Sequence, residues 1–401
     1  MANKNNAFTF FCLYIAQTIP MSFFSTVIPV IMRQENFSLT EIGMLQLIKL
    51  PWILKFLWSP IVDRYSVSVN DYKRWIFSSE LIYAAIIFSV AFLDFNANFH
   101  TILVLIIISF IASATQDIAT DALAALTFSK KDKSVVNSMQ SMGSFGGTLI
   151  GSGLLLLLFR KVGGWDSLLP FLALFVIIAL LPLFFNKKLV IQQEKKEDVK
   201  RANWADIFRF FTQKGIWKQI CFLLLYYIPM IGVLAMLRPY LVDLGYDMKQ
   251  IGLMSGIVGT ASGMLASFTA GLVVKKIGRF YSRILFAVFI LFTTFYFYLI
   301  SLNAQPDILY LYIGIIMLWG NYGMATVVVY TTAMDCVRTG REGTDFTIQT
   351  VLTHASGIGI AILSGKIADK LGYNNLFLFA FCLAALSLIY ILTVFRKEKA
   401  E

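Results

Sequence analysis

Apolar stretches of similar length, each ended by a few polar residues or a glycine turn, recur along the chain from Ala7 to Phe395. Each is close to the roughly 20 residues that cross a hydrocarbon core of about 30 Å. The pattern predicts twelve spans, at about 8–32, 40–62, 75–94, 101–128, 136–159, 168–185, 216–241, 248–274, 283–303, 307–334, 346–368 and 375–395. Nearly every connection is short. The exception is 186–215, NKKLVIQQEKKEDVKRANWADIFRFFTQKG, a charged linker that separates a bundle of six helices (1–185) from a second bundle of six (216–401). Within it, WADIFRFF reads as an amphipathic surface helix.

Composition removes the soluble alternative. With 58% hydrophobic residues against 14% charged and a mean hydropathy of +0.73, too little polar surface remains to coat a water-soluble fold. The expected class is an all-α integral membrane protein with the lipid bilayer as its partner.

Orientation follows from the 34 Lys and Arg, since basic residues are retained on the cytoplasmic side. With both termini cytoplasmic, the external loops carry only Arg33, Arg160, Lys161, Lys249, Lys366 and Lys370. The net charge of +11 is then mainly a topological signal, with no nucleic-acid role. Cys12, Cys221, Cys336 and Cys382 have no metal-ligand spacing, so no metal, cofactor or disulfide framework is expected. MANKNN leads into an apolar run too long for a signal-peptide core, with no small-x-small cleavage site, and is read as the start of the first helix.

The chain also repeats itself. At a constant offset of 209 residues Cys12 falls on Cys221, Pro20 on Pro229, Met21 on Met230, Phe37 on Tyr246, Ile42 on Ile251 and Gly43 on Gly252. Both copies open their second helix with a capping pair, Ser38 with Glu41 and Asp247 with Gln250. A parallel repeat of two six-helix halves is the layout of major facilitator transporters, with substrate held between the halves near the midplane.

The loops after each half's second helix, SPIVDRY…KRW (59–75) and GLVVKKIGR (271–279), resemble that superfamily's Gly-x-x-x-Asp-Arg/Lys-x-Gly-Arg-Arg motif. The resemblance implies two pseudo-symmetric bundles and a gate. In that gate Asp63 caps a helix of the other half, while Arg64, Lys73 and Arg74 pair with a carboxylate on the fourth helix. Lys275 and Arg279 are the second copy's counterparts. The first copy lacks the glycine and inserts 66–72, and the second has Lys275 where an Asp would stand, which implies an asymmetric gate. LPWILKFLWSPIVDRY (50–65) and ATQDIATDALA resemble the branch of muropeptide permeases, acetyl-CoA transporters and inner-membrane siderophore permeases, and GTDFTIQ (343–349) resembles the siderophore group.

Ionisable residues inside spans are costly and mark functional candidates. Lys49 lies near the midplane of the second span with Gln46 on the same face, and suits a carboxylate, phosphate or hydroxamate on the solute; the competing reading is snorkelling or pairing with an acid. Lys55, deeper and rotated away, is expected to pair with Asp117. Asp117 and Asp121 project from one face of the fourth span at i, i+4, a spacing that favours proton binding. The alternative for them is an ion-pair lock, Asp117 with Lys55 and Asp121 with the gate loop. His354 is a third proton-coupling candidate, or a histidine simply hydrogen-bonded to a neighbour. Arg238 either guides anions at the outer mouth or snorkels.

Gln17, Tyr226 and Tyr227 precede the matched Pro20 and Pro229 on helices that line the pathway in the superfamily. WGNYG (319–323) offers Asn321 and Tyr322 either as a break with aromatic walls or as close packing. Asn137, Gln140, Ser141, Ser144, Gly147 and Gly151 make a small, polar stripe on the fifth span, lining a pathway or crossing another helix closely. The superfamily's antiporter motif ends the glycine series of that span with Gly-Pro; Gly143, Gly146, Gly147 and Gly151 lack the Pro, so the resemblance implies symport or uniport.

The leading expectation is a monomeric secondary transporter of an organic solute in the bacterial inner membrane, driven by proton symport. Siderophore ranks first as solute, with muropeptide and an acyl-CoA-like anion as alternatives. The other classes weighed are an integral-membrane acyltransferase using His354 and a non-transporting receptor. No G-x-x-x-x-G-K-[ST] loop is present to support ATP-driven transport.

Overall fold

The computed structural model describes residues 4–34, 48–94, 97–155, 165–191 and 200–396. Among these the secondary structure is helical throughout. Helix α1 spans Lys4–Gln34. The second predicted span appears as α2 (Leu50–Leu54), a 3-10 turn (Lys55–Leu57) and α3 (Ser59–Tyr65). Then come α4 (Val69–Val90), α5 (Phe99–Thr127), α6 (Lys133–Thr148, continued by a π turn at Leu149–Leu154), α7 (Trp165–Ala179) and α8 (Leu181–Phe185). The linker contributes α9 (Ala205–Phe210). Helices α10 (Ile216–Asp243), α11 (Met248–Ile251, continued by a π turn at Gly252–Gly259), α12 (Thr260–Ser301), α13 (Ile308–Asp335) and α14 (Glu342–Val394) follow.

Helices α12 and α14 are each long enough for two spans, and each is broken at a glycine: Gly278 (φ 81°) and Gly372 (φ 85°). Both lie in the gaps between predicted spans. Positive φ is the conformation glycine adopts at no steric cost, so each glycine ends one helix and lets the next begin.

The break in the second span has a local cause. Pro60 has no N–H to give the Phe56 carbonyl one turn earlier, and the Ser59 hydroxyl donates to that carbonyl instead, at 3.0 Å. The preceding turn tightens, with Trp58 N–H donating to the Lys55 carbonyl at 3.2 Å. The Asp247–Gln250 capping pair is present, each side chain accepting from the other's backbone N–H at 2.7 and 3.0 Å. Ser38 and Glu41, its counterparts, lie outside the described residues.

The chain divides into two compact units, 1–210 with 337–351, and 211–336 with 352–401. Unit 1 is organised around a core that includes Phe23, Phe24, Tyr83, Phe110 and Leu169. Unit 2 packs around Phe222, Tyr226, Phe286, Phe297 and Phe377. The short segment 337–351 carries the GTDFTIQ motif, so that motif is built into unit 1.

Candidate functional site

The polar heart of unit 1 sits where the 3-10 turn meets α5. Burial of Lys55 is nearly complete, at 1% exposure, and its Nζ donates to Asp117 Oδ2. The same ammonium lies 5.1 Å from the centre of the Trp52 ring, a cation–π contact that partly replaces the lost water. Gln17 of α1 donates from Nε2 to the other oxygen of Asp117 at 2.9 Å.

Asp121, one turn further along α5, is treated differently. Its Oδ1 accepts from Tyr14 Oη at 2.7 Å and from Gln140 Nε2 at 3.2 Å, while Oδ2 has no partner among the described residues. Two carboxylates at i, i+4 thus have unlike surroundings. Asp117 is paired directly with a cation, whereas Asp121 is held by two neutral donors beside the Asp117 carboxyl.

Helix α1 reaches α5 and α6 closely because α6 presents its small-residue stripe to it. An ideal Cβ on Gly147 would stand 2.6 Å from the Thr18 Cβ, nearer than real Cβ atoms approach one another. The stripe is therefore a helix crossing, and it brings Tyr14, Gln17 and Gln140 around α5.

A second cluster gathers at the start of α14. Asp63 is buried, and its carboxylate accepts from Gly343 N–H (3.0 Å), Thr344 N–H (2.7 Å) and Thr344 Oγ1 (2.6 Å). An anion on the first free N–H groups of a helix is favoured by both hydrogen bonding and the helix dipole. Gly343 leaves room for that approach, since a Cβ would stand 2.9 Å from Asp63 Oδ1 and the carboxylate would have to shift.

The basic residues expected at Asp121, Arg64 near the end of α3 and Lys73 and Arg74 in the first turns of α4, go elsewhere. Lys73 donates to the Asn186 carbonyl at 2.8 Å, Arg74 lies 3.6 Å from Asp71, and Arg64 is exposed. Beside this cluster the linker helix α9 buries Asp206, which accepts from Asn203 N–H (2.9 Å) and Arg341 Nε (3.2 Å). Arg338 bridges onward, donating to the Asp206 carbonyl at 2.8 Å and to Asp345 at 2.6 Å. Burial works against ionisation of Asp206, but the Asn203 N–H and the Arg341 guanidinium outweigh it and hold the carboxyl below its usual range.

In unit 2, Tyr227 Oη donates to Thr326 Oγ1 at 2.8 Å and meets the half-buried Tyr322 edge-to-face, with ring centres 6.1 Å apart. Tyr226 is fully buried and donates to the Arg283 carbonyl at 2.9 Å. Asn321 donates to the Phe289 carbonyl (3.1 Å) and to Thr293 Oγ1 (2.5 Å). WGNYG does not break α13, which runs unbroken through it, and Gly323 packs against Gly263 and Ser267. Arg279 pairs with Asp335 at 2.9 Å, Lys275 is half-buried, and His354 and Arg238 are exposed. Lys49 is exposed at the head of α2, and Gln46 lies outside the described residues.

Three features escaped the sequence reading. The linker network of Asp206, Arg338 and Arg341 gives no periodic signal, because its partners are far apart in the chain. Arg283 is buried with its guanidinium 5.0 Å from the Phe222 ring and 4.2 Å from the Phe395 ring. Glu80 is entirely buried in α4. A signal existed for Glu80, which shares the i, i+3, i+4, i+7 stripe of Ile76, Tyr83, Ala84 and Ile87.

Long apolar helices, glycine breaks at span boundaries and a buried ion pair inside a span define a multi-pass α-helical membrane protein. The chain belongs to the Major Facilitator Superfamily, whose family model matches residues 7–361. It is similar to the anhydromuropeptide permease of Escherichia coli (strain K12), with 21% identity over 95% of this chain and 78% of that one. A putative transporter, AmpG 1, of Rickettsia bellii is 25% identical over 91% of this chain and 92% of that one. Among solved structures, the human organic anion transporter MFSD10 superposes with a TM-score of 0.73 at 13% identity, covering 98% of this chain and 100% of that one. That last likeness concerns the fold.

Proposed function

We propose that the chain is a secondary permease that carries a muropeptide, a sugar–peptide cell-wall fragment, across the bacterial inner membrane by alternating access, coupled to protons. The observation that carries this reading is the similarity to a named anhydromuropeptide permease along nearly the whole chain. In it the cytoplasmic side holds both termini and the 186–215 linker, and the two six-helix bundles are the moving parts. Lys49, exposed at the head of α2, offers a cation to a solute carboxylate, with Gln17, Gln46, Tyr226, Tyr227, Asn321 and Tyr322 as further contacts. Asp117 and Asp121 on α5, with His354, are the proton-coupling candidates. Asp63 holding the start of α14, with Arg64, Lys73, Arg74, Lys275 and Arg279, forms the gate.

The siderophore alternative rests on GTDFTIQ. Gly343 and Thr344 bind Asp63, and Asp345 binds Arg338. Gate contacts account for these residues without any role in choosing the solute, so muropeptide takes precedence. A competition experiment on the purified protein separates the two. Bound, labelled anhydromuropeptide should be displaced by unlabelled anhydromuropeptide and ignored by a ferric hydroxamate siderophore; the reverse order would reject the assignment.

A further inference from the structure

The carboxyls of unit 1 differ in what meets them. Asp117 has Lys55 and Gln17, Asp121 has Tyr14 and Gln140, and Asp63 has three donors from the start of α14. Glu80, in the middle of α4, has 0% exposure, and neither oxygen has a hydrogen-bond partner among the described residues. Among the described residues, the elements packed on α4 supply no cation to it. Helix α5 carries His100, exposed in its first turn, and Asp117 and Asp121, both engaged as above. On α3 lie Asp63, engaged, and Arg64, exposed, and on α7 lies Asp166, exposed. On α4 itself Asp71, Lys73 and Arg74 lie at its first turns, with partners of their own. Tyr72 and Tyr83 also lie on α4, Tyr65 is exposed at the end of α3, and α1, which Tyr83 reaches, carries Tyr14, bound to Asp121.

An ionised carboxylate in this position would give up its hydration and receive neither a donor nor a counter-charge, at a cost of several kcal/mol. The neutral acid avoids that cost. On the helix packed against α4, Ser113 meets the Tyr83 hydroxyl, and both amide atoms of Gln116 are buried without partners among the described residues. Apolar packing alone would not select three polar side chains in one helix pair. One turn along the same stripe, Tyr83 Oη reaches the Gln17 carbonyl at 3.5 Å, and the Gln17 side chain binds Asp117. A polar path therefore leads from the neighbourhood of Glu80 to the Lys55–Asp117 pair.

We propose that Glu80 is a proton-binding site of unit 1, occupied in this conformation and separate from the Lys55–Asp117 pair. Its occupancy stands independently of the solute, and its part in coupling rests on the proton symport proposed above. Infrared spectroscopy of the purified protein at neutral pH tests occupancy without any substrate. The carbonyl stretch of a neutral carboxylic acid should lose one residue's intensity in Glu80→Gln and keep it in Asp117→Asn. Glu80→Met, which fills a similar volume with no unpaired polar atom, should elute as a folded protein and lose the same intensity. A band of unchanged intensity in folded Glu80→Gln or Glu80→Met would overturn the proposal. In proteoliposomes with a pH-sensitive dye, the number of protons entering per anhydromuropeptide should fall in Glu80→Gln, and the wild-type ratio would overturn its part in coupling. No proton entry in the wild-type protein would count against symport and leave the infrared result to decide the site.

Discussion

Replacing Asp117 with Asn should destabilise unit 1 far more than replacing Asp117 and Lys55 together. Side-chain exposure is 2% for Lys55 and 4% for Asp117, so neither charge can turn to water when its partner is removed. Breaking a buried pair by removing one member costs about 3–5 kcal/mol, because a bare charge is left in low dielectric. Gln17 Nε2, which donates to Asp117 at 2.9 Å, keeps an acceptor in the amide oxygen of the Asp117→Asn variant and would not add to that cost. The double replacement Lys55→Met/Asp117→Leu removes both charges and fills similar volume, a change that is often neutral or stabilising by about 1–4 kcal/mol. It orphans the Gln17 amide, at about 1–3 kcal/mol. The double variant should therefore lie within a few kcal/mol of the parent. Equilibrium unfolding in mixed micelles of the parent, Asp117→Asn, Lys55→Met and the double variant closes the cycle. The reasoning is refuted if the single penalties are small, or if they simply add in the double variant.

Three further outcomes follow from the geometry. Gly343→Ala should push Asp63 off the start of α14, since the new Cβ would stand 2.9 Å from Oδ1, and hydrogen exchange at the backbone N–H groups of positions 343 and 344 should quicken in this variant as it does in Asp63→Asn; the loss is about 1–3 kcal/mol, and unaltered exchange would contradict it. Gly147→Ala should force α1 away from α6 and lower the melting temperature by several degrees, because the added carbon would stand 2.6 Å from the Thr18 Cβ; an unchanged melting temperature would show the crossing to be loose. Asp206 is held below the usual carboxylate range, so its contribution is present above the unfolded pKa of about 3.9 and is lost as pH falls through the lower folded value. Limited proteolysis of the 186–215 linker should thus be flat from neutral pH down to about pH 5 and accelerate only in stronger acid, whereas acceleration near pH 6 would place the controlling group elsewhere.

The spans were legible because the bilayer imposes one length on every apolar run, and the chain satisfies it repeatedly. The breaks in α12 and α14 fall at Gly278 and Gly372, inside turns already marked by polar residues. The irregular second span was less legible. Pro51 and Pro60 stand in that stretch, but the rescue of the Phe56 carbonyl by Ser59 depends on a rotamer that no pattern reveals.

Within the site, Asp117 and Lys55 could be paired by depth along their helices, a one-dimensional argument. Asp121 could not be matched to Tyr14 and Gln140 in that way, since those partners arrive through the packing of α1 and α6. The linker network was hidden for a related reason, as Asp206 and Arg341 are remote in sequence and joined only by folding. GTDFTIQ was visible as a motif yet ambiguous in meaning, since its bonds to Asp63 and Arg338 join residues remote in sequence.

Proton-driven uptake of a muropeptide against its gradient is tested most directly by reconstitution. Proteoliposomes containing only this protein, loaded at higher internal pH, should accumulate labelled anhydromuropeptide above the external concentration and release it when a proton ionophore is added. Accumulation that is indifferent to the ionophore, or a muropeptide level inside that never exceeds that of protein-free vesicles, would contradict it.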